Sequence, residues 1–385
     1  MFALCAEALY IPPLQLINQY NGGFFMFLFK KIAALFVFAA LSAVAAAKEQ
    51  YQFVVIGDLH YDAADVRVDA DKLTGARKRG MDSNIQAWKT NIPNVLKAAA
   101  RYAAQDNVLF TVQCGDITQG DEGSYELACT SFERALKYVT KDQKKPLYLV
   151  RGNHDIGGKG KLQACDDILF GYMKKQDVIY PLPGKDQTCY KVVDKDLFIF
   201  FDSLKGSFEA VNSIFKANPD VRHVFFFTHL PVMPCRFVAD GLGWICGKAD
   251  KFDYKLRKLL AKHNTVVLSA HTHQTAYFQW KMPEGSIRQF VSFSIVNNSR
   301  AKIEKISGSG DKYFQDFEKY IFPKLPEKRR AAEQRFMKDF AGKLEFYNVY
   351  KNVNGFNVLR VEGDHVFVDM YCGKLDKAVF TQQIK

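Results

Sequence analysis

From Lys48 onward, short apolar runs rich in β-branched and aromatic residues alternate with stretches of helical periodicity. The apolar runs predict strands at Gln52–Ile56, Val108–Cys114, Leu147–Arg151, Leu197–Phe201, His223–Thr228 and Thr265–Ser269. Between them the spacing predicts helices over Ile85–Ala104, Tyr125–Thr140, Phe208–Ala217 and Phe252–His263, the first kinked or split at Pro93. Buried apolar strands joined by helices point to a layered α/β fold. The tail adds a strand over Ser286–Val296 and a hairpin, Asn357–Val361 with His365–Tyr371, turned at Glu362-Gly363-Asp364. A charged, helix-patterned stretch, Asp311–Gly342, is broken by Pro323 and Pro326 and reads as an insertion within one domain covering 48–385.

Composition adds little to the fold and more to the setting. Apolar residues make up 48% and charged residues 24% of the 385, an ordinary globular balance that excludes a disordered chain. With 33 Phe and 18 Tyr, a sheet-rich interior is favoured over a helical bundle. Lys30 and Lys31 precede an apolar run from Ile32 to Ala47 that ends in small residues, the pattern of a cleaved export signal covering residues 1–47. Met26 stands where such a signal would begin, so residues 1–25 read as an over-extended start; an uncleaved N-terminal anchor is the alternative. Export would end in a periplasm, beyond the cell or in a secretory compartment, and no other segment is long and apolar enough to span a membrane. Cys129, Cys165, Cys189, Cys235, Cys246 and Cys372 could form three disulfides, with Cys235–Cys246 the best single pairing and Cys114 a core thiol. The net charge of +12 could draw anionic partners, although a generally basic exterior is the better account of it.

Chemistry enters at the strand ends. Five of the runs finish in clusters able to hold metal: Asp58-Leu59-His60, Gly115-Asp116, Gly152-Asn153-His154-Asp155, His229, and Ala270-His271-Thr272-His273. Loops at the carboxyl ends of strands gather ligand sites in α/β sheets. One His beside a strand is an everyday core residue. Five clusters in that position are not, because buried Asp and His are costly unless paired or metal-bound. Imidazole and carboxylate without thiolate suit zinc, manganese, iron or cobalt, and do not choose among them.

The motif series, in this order from Asp58 to His273, resembles that of the calcineurin-like metallophosphoesterases, and the likeness covers roughly Gln52 to Tyr371. The resemblance implies a four-layer α/β/β/α sandwich of two mixed β-sheets flanked by helices. It implies two divalent or mixed-valence metal ions, one held by Asp58, His60, Asp116 and His273, the other by Asp116, Asn153, His229 and His271. A hydroxide bridging them would attack a small phosphate ester, monoester or diester, in line. His154 would donate a proton to the leaving group or stabilise it, and Asp155 would orient His154. Purple acid phosphatases place a Tyr three residues after the bridging Asp, where this chain has Gln119, and lack the imidazole that His60 supplies. The Asp58-to-Asp62 opening is similar to acid sphingomyelinase-like secreted members, without a saposin-like segment. Ala270 replaces the family's usual Gly.

Two softer candidates touch substrate binding: the loop Pro231–Lys251, with Arg236, Phe237 and Trp244, which reads as well as a plain disulfide-pinned surface loop, and the segment Asp69–Gly80, with Lys72, Arg77, Lys78 and Arg79, which reads better as a solvated basic loop. Gly157 to Gly160 lack the spacing of a phosphate-binding P-loop. A secreted nuclease using the same centre, a non-catalytic binding protein on this scaffold and a lone structural zinc site remain as alternatives. Nucleic acid is the less favoured partner, since no aromatic and basic platform can be read.

Overall fold

The computed structural model describes residues 50–235, 254–295, 302–320 and 339–385, with a few positions between 321 and 338. The signal-like segment, Cys246 and most of the Pro231–Lys251 loop lie outside the described residues. Gln50–Lys385 forms one compact unit. Its strands are β1 (Gln50–Ile56), β2 (Val108–Gln113), β3 (Leu147–Leu149), β4 (Cys189–Val193), β5 (Asp196–Phe200), β6 (His223–Phe227), β7 (Val266–Ser269), β8 (Thr275–Met282), β9 (Gly285–Val291), β10 (Glu304–Ser309), β11 (Leu344–Lys351), β12 (Gly355–Glu362), β13 (His365–Cys372) and β14 (Phe380–Gln383).

They build two mixed sheets, ordered β14-β13-β12-β1-β2-β3 and β10-β11-β8-β9-β7-β6-β5-β4. Within the first, β1, β2 and β3 run parallel; within the second, β5, β6 and β7 do. The period-2 alternation of the second sheet explains the layering. Phe198, Phe200, Phe225 and Phe227 turn inward to one core with Phe53 and Phe110 of the first sheet. Leu197, Ile199, Val224 and Phe226 turn outward to a second core with Val211, Ile214, Leu256 and Leu260 of the helices Phe208–Ala217 and Tyr254–Lys262. On the far side, the helices Ile92–Ala103 and Tyr125–Thr140 cover the first sheet. The result is the α/β/β/α sandwich.

Phe53 is the centre of the inner layer. Its ring meets Phe110 at 5.3 Å, Phe225 at 5.1 Å, Phe198 at 5.6 Å and Phe227 at 5.8 Å, centroid to centroid. Three of these contacts cross between sheets edge to face, an arrangement that adds about 0.5–1.5 kcal/mol per pair beyond area burial.

The helix expected over Ile85–Ala104 is two helices, Gly75–Thr90 and Ile92–Ala103. The break falls at Asn91, which puts Pro93 in the first turn of the second helix, where its missing N–H costs nothing. The basic segment ending at Gly80 is therefore partly helical from Gly75, and not the loop read from its composition. The strand expected to reach Val296 leaves the sheet after Val291, and Ile295 N–H instead donates to the Asp58 carbonyl. Cys114, Cys129, Cys165, Cys189 and Cys372 carry free thiols, so three disulfides do not form.

Replacing Phe53 with Ala should cost about 3–5 kcal/mol of stability, because it removes a ring shared by both sheets. Urea unfolding measures this; a loss below about 1 kcal/mol would mean that the sheets are not held together there.

Candidate metal centre

The parallel strands β1, β2 and β3 and the parallel strands β6 and β7 deliver their carboxyl ends to one edge of the sandwich. Backbone bonds then continue the pairing into the loops. The amides of Leu59 and His60 donate to the Asp116 carbonyl at 3.0 and 2.9 Å, Tyr61 N–H to Ile117 at 2.9 Å, and Ala270 N–H to His229 at 3.1 Å. Gln113, buried at the end of β2, ties the first two loops together: its amide nitrogen donates to the carbonyls of Gly115 (2.6 Å) and Gly57 (3.2 Å).

These loops bring the seven expected ligand residues and His154 together. His60 Nε2 lies 2.9 Å from His273 Nε2 and 3.8 Å from Asp116 Oδ2. His229 Nε2 lies 3.0 Å from Asn153 Oδ1, 3.2 Å from His271 Nδ1 and 3.2 Å from Asp116 Oδ2. Asp58 Oδ1 accepts from His271 N–H at 3.2 Å, and its Oδ2 stands 3.8 Å from His273 Nε2. Three groups have ligand atoms within 4.8 Å of one another: Asp58 with His60 and His273, Asp116 with His229 and His271, and His60 with Asp116 and His154. Asp116 and His60 each belong to two of them. The His273 side chain, 45% exposed, is where the cluster opens to solvent; Asp58 and His229 lie at its floor, fully buried.

The backbone pays for this convergence in conformation. His60, Asp116, His271 and His273 all adopt positive φ, between 46° and 71°, a region unfavourable to residues with a Cβ by about 1 kcal/mol or more each. Four left-handed positions at one edge persist only because the flanking strands fix them. Two glycines supply the necessary clearance. A Cβ on Gly115 would stand 2.7 Å from His229 Nδ1, and one on Gly152 would stand 2.1 Å from Asp116 Oδ1.

Electrostatics favour a cation. Burial pushes His60 and His271 down to about 3, so both rings are neutral and offer lone pairs. Burial would also lower His229, but the carboxylates of Asp116 and Asp58 outweigh it and raise that ring to about 9. Burial opposes charge on Asp116 as well, yet the imidazoles of His229 and His60 hold it well below the usual carboxylate range. Asp58 goes the other way, raised by burial. Its Oδ2 is buried without a hydrogen-bond partner. Such an orphaned oxygen costs on the order of 1–3 kcal/mol, more for a charged group, unless a cation sits against it. The donor set and the orphaned oxygen both fit divalent metal.

One expectation needs correcting. Asp155 does not orient His154. Its fully buried carboxylate accepts from Gly152 N–H at 2.8 Å and Thr118 N–H at 3.1 Å, tying its own loop to the Asp116 loop from behind. The ring of His154 is held instead by the Gln119 carbonyl, 2.6 Å from Nδ1, while its backbone N–H donates to Asp116 Oδ1 at 2.8 Å. Sequence reasoning also missed Gln113, Thr118 and the backbone of Gln119. Their contributions pass through main-chain atoms or buried amides, which carry no motif. A buried ion pair completes the edge: Arg151 Nη2 donates to Asp202 Oδ2 at 2.6 Å, linking the loops after β3 and β5 across the two sheets.

The sequence model of the calcineurin-like phosphoesterases matches residues 51–275, which contain all five motifs but stop short of Tyr371. No curated protein matches the sequence. Among solved structures, that of PhoD aligns over 87% of this chain and 68% of its own, with TM-score 0.52 and 10% identity, a likeness of fold. The purple acid phosphatase PPD1 of yellow lupin aligns over 87% of this chain at TM-score 0.47 and 10% identity; this chain spans 54% of that protein's length. A dimetal phosphatase from Danio rerio aligns over 87% of this chain and 98% of its own, at TM-score 0.46 and 12% identity.

Gly152→Ala should drive Asp116 from its position and lower the melting temperature by several degrees, since a clash at 2.1 Å with a buried carboxylate leaves no soft neighbour to yield. Gly171→Ala, with open space around it, is the matched control and should move the midpoint by no more than about a degree. Equal midpoints for the two variants would contradict the packing described.

Proposed function

We propose that this chain, which belongs to the calcineurin-like phosphoesterases, is a binuclear-metal hydrolase of small phosphate esters. The observation that supports this best is the placement of Asp116, whose Oδ2 lies 3.8 Å from His60 Nε2 and 3.2 Å from His229 Nε2, between the two expected sets of ligands. Asp58, His60, Asp116 and His273 would hold one divalent cation, and Asp116, Asn153, His229 and His271 the other. Bound there, the metals supply Lewis acidity toward the phosphoryl oxygens and lower the pKa of a water.

The protein's own groups do the rest. Asn153 and the rings of His229 and His271 form one wall, and His60 with His273 forms the other. With Nδ1–H held by the Gln119 carbonyl, His154 keeps Nε2 for the reaction. When protonated there, it donates to the departing oxygen and ends neutral, its remaining proton on Nδ1. The buried floor at Asp58 and His229 keeps water from competing with these contacts. Export belongs to the same proposal and rests on the pattern from Lys30 to Ala47; the free thiols withdraw the support that the cysteine count had lent it.

Hydrolysis of p-nitrophenyl phosphate and bis-p-nitrophenyl phosphate, by protein reloaded with manganese, zinc or iron, tests the proposal. Turnover that a chelator abolishes and metal restores is the expected result, and the ratio of the two rates separates monoesterase from diesterase. No turnover with any of the three metals would favour a binding protein on this scaffold. On phenyl phosphate, whose leaving oxygen needs a proton, His154→Ala should slow cleavage by roughly 10²–10⁴-fold with metal content unchanged; metal loss in that variant would make His154 structural.

A further inference from the structure

The helix Gly75–Thr90 carries Asn84 to the edge of the metal centre. Asn84 Nδ2 donates to Gln119 Oε1 at 2.9 Å and stands 3.4 Å from Asp62 Oδ2. Asp62, buried, is clamped by Arg67, whose Nε and Nη2 each reach a carboxylate oxygen at 2.8 Å. The same guanidinium lies 3.8 Å from Asp121. Gln119 therefore sits in a short turn bracketed by one polar string: Arg67 and Asp62 on the side of Asn84, and Arg67 again at Asp121.

That turn needs outside support. Gln119 N–H donates to the Tyr61 carbonyl at 2.9 Å, and the next two residues, Gly120 and Asp121, have φ of 86° and 64°. The backbone pairing ends at the Tyr61–Thr118 bridge, and among the described residues no backbone N–H donates to the Gln119 carbonyl to set its direction. Yet that carbonyl is the acceptor 2.6 Å from His154 Nδ1. Whatever fixes Gln119 fixes the ring.

We infer that Asn84 is a positioning residue for phosphoester cleavage: anchored by the Asp62–Arg67 pair, it holds the Gln119 turn whose carbonyl orients the His154 ring. The inference rests on the reading of His154 as the group that serves the leaving oxygen. It makes the helix Gly75–Thr90 part of the catalytic apparatus through a single amide, not through the exposed basic residues Arg77, Lys78 and Arg79.

A positioning residue for leaving-group protonation has a signature that general damage lacks. p-Nitrophenolate departs readily without a proton, whereas phenolate needs one. The experiment compares kcat on phenyl phosphate and p-nitrophenyl phosphate for manganese-loaded wild type, Asn84→Ala, Gln119→Ala, the double variant and His154→Ala. Asn84→Ala should lower kcat on phenyl phosphate roughly tenfold and on p-nitrophenyl phosphate by a much smaller factor, with metal content retained. Gln119→Ala removes the side-chain oxygen that accepts from Asn84, leaves the backbone carbonyl and the helix in place, and should show the same selectivity. The double variant should be no worse than either single one, since all interrupt one string. His154→Ala should show the same selectivity, more strongly. If it instead slows both substrates equally, the reading of His154 itself is wrong. If His154→Ala is selective but Asn84→Ala and Gln119→Ala slow both substrates equally or neither, the positioning role is overturned.

Discussion

Two carboxylates, Asp58 and Asp116, are buried at one edge of this sandwich among the imidazoles of His60, His229, His271 and His273. Negative charge in such a place is tolerable only with positive charge beside it. A proton on His229 can provide part of that charge, and a metal can provide more; the two compete for the same Asp116 oxygen. Much of the surrounding construction serves to hold these groups close against their mutual preferences. Left-handed backbone at four of them, glycine clearances at 115 and 152, and the Asp155 carboxylate beneath two loops are all consequences of that single constraint.

The fold meets the constraint by aligning strand ends. Parallel strands in each sheet finish at the same edge, and the aromatic layer around Phe53 fixes one sheet against the other. Ligands from both sheets then meet with little freedom. Asp58, His60, Asp116 and Asn153 come from the first sheet; His229, His271 and His273 come from the second. Arg151 and Asp202 close the seam at the same edge. A site assembled across two sheets depends on their packing, so the hydrophobic interior and the chemistry cannot be separated.

The parts of this legible in the sequence are those where local signals agree. Helices Tyr125–Thr140 and Phe208–Ala217 begin where expected because Ser124 and Ser207 cap them, each hydroxyl accepting from an amide three residues on. Strands β1, β2, β6 and β7 announce themselves as buried apolar runs, and the metal-competent clusters lie where those runs stop. β4, β8, β10, β11 and β14 escaped notice, and not all for one reason. β10 and β14 are edge strands, exposed at alternate positions, with almost no apolar run to read. β8 follows His273 so closely that the motif masked it. The misreading of Asp155 has a physical cause as well: a carboxylate next to an imidazole in sequence suggests a pair, but the turn at Gly152 points the two side chains apart, one to the floor and one to the cluster.

The claim on which all of this turns is that Asp116 serves two metal positions at once. Elemental analysis of the protein after loading and desalting tests it directly. Two equivalents of metal per chain, falling to one or none in Asp116→Ala while the variant stays folded by circular dichroism, is the result the account predicts. A single equivalent in the wild-type protein, unchanged by Asp116→Ala, would contradict it.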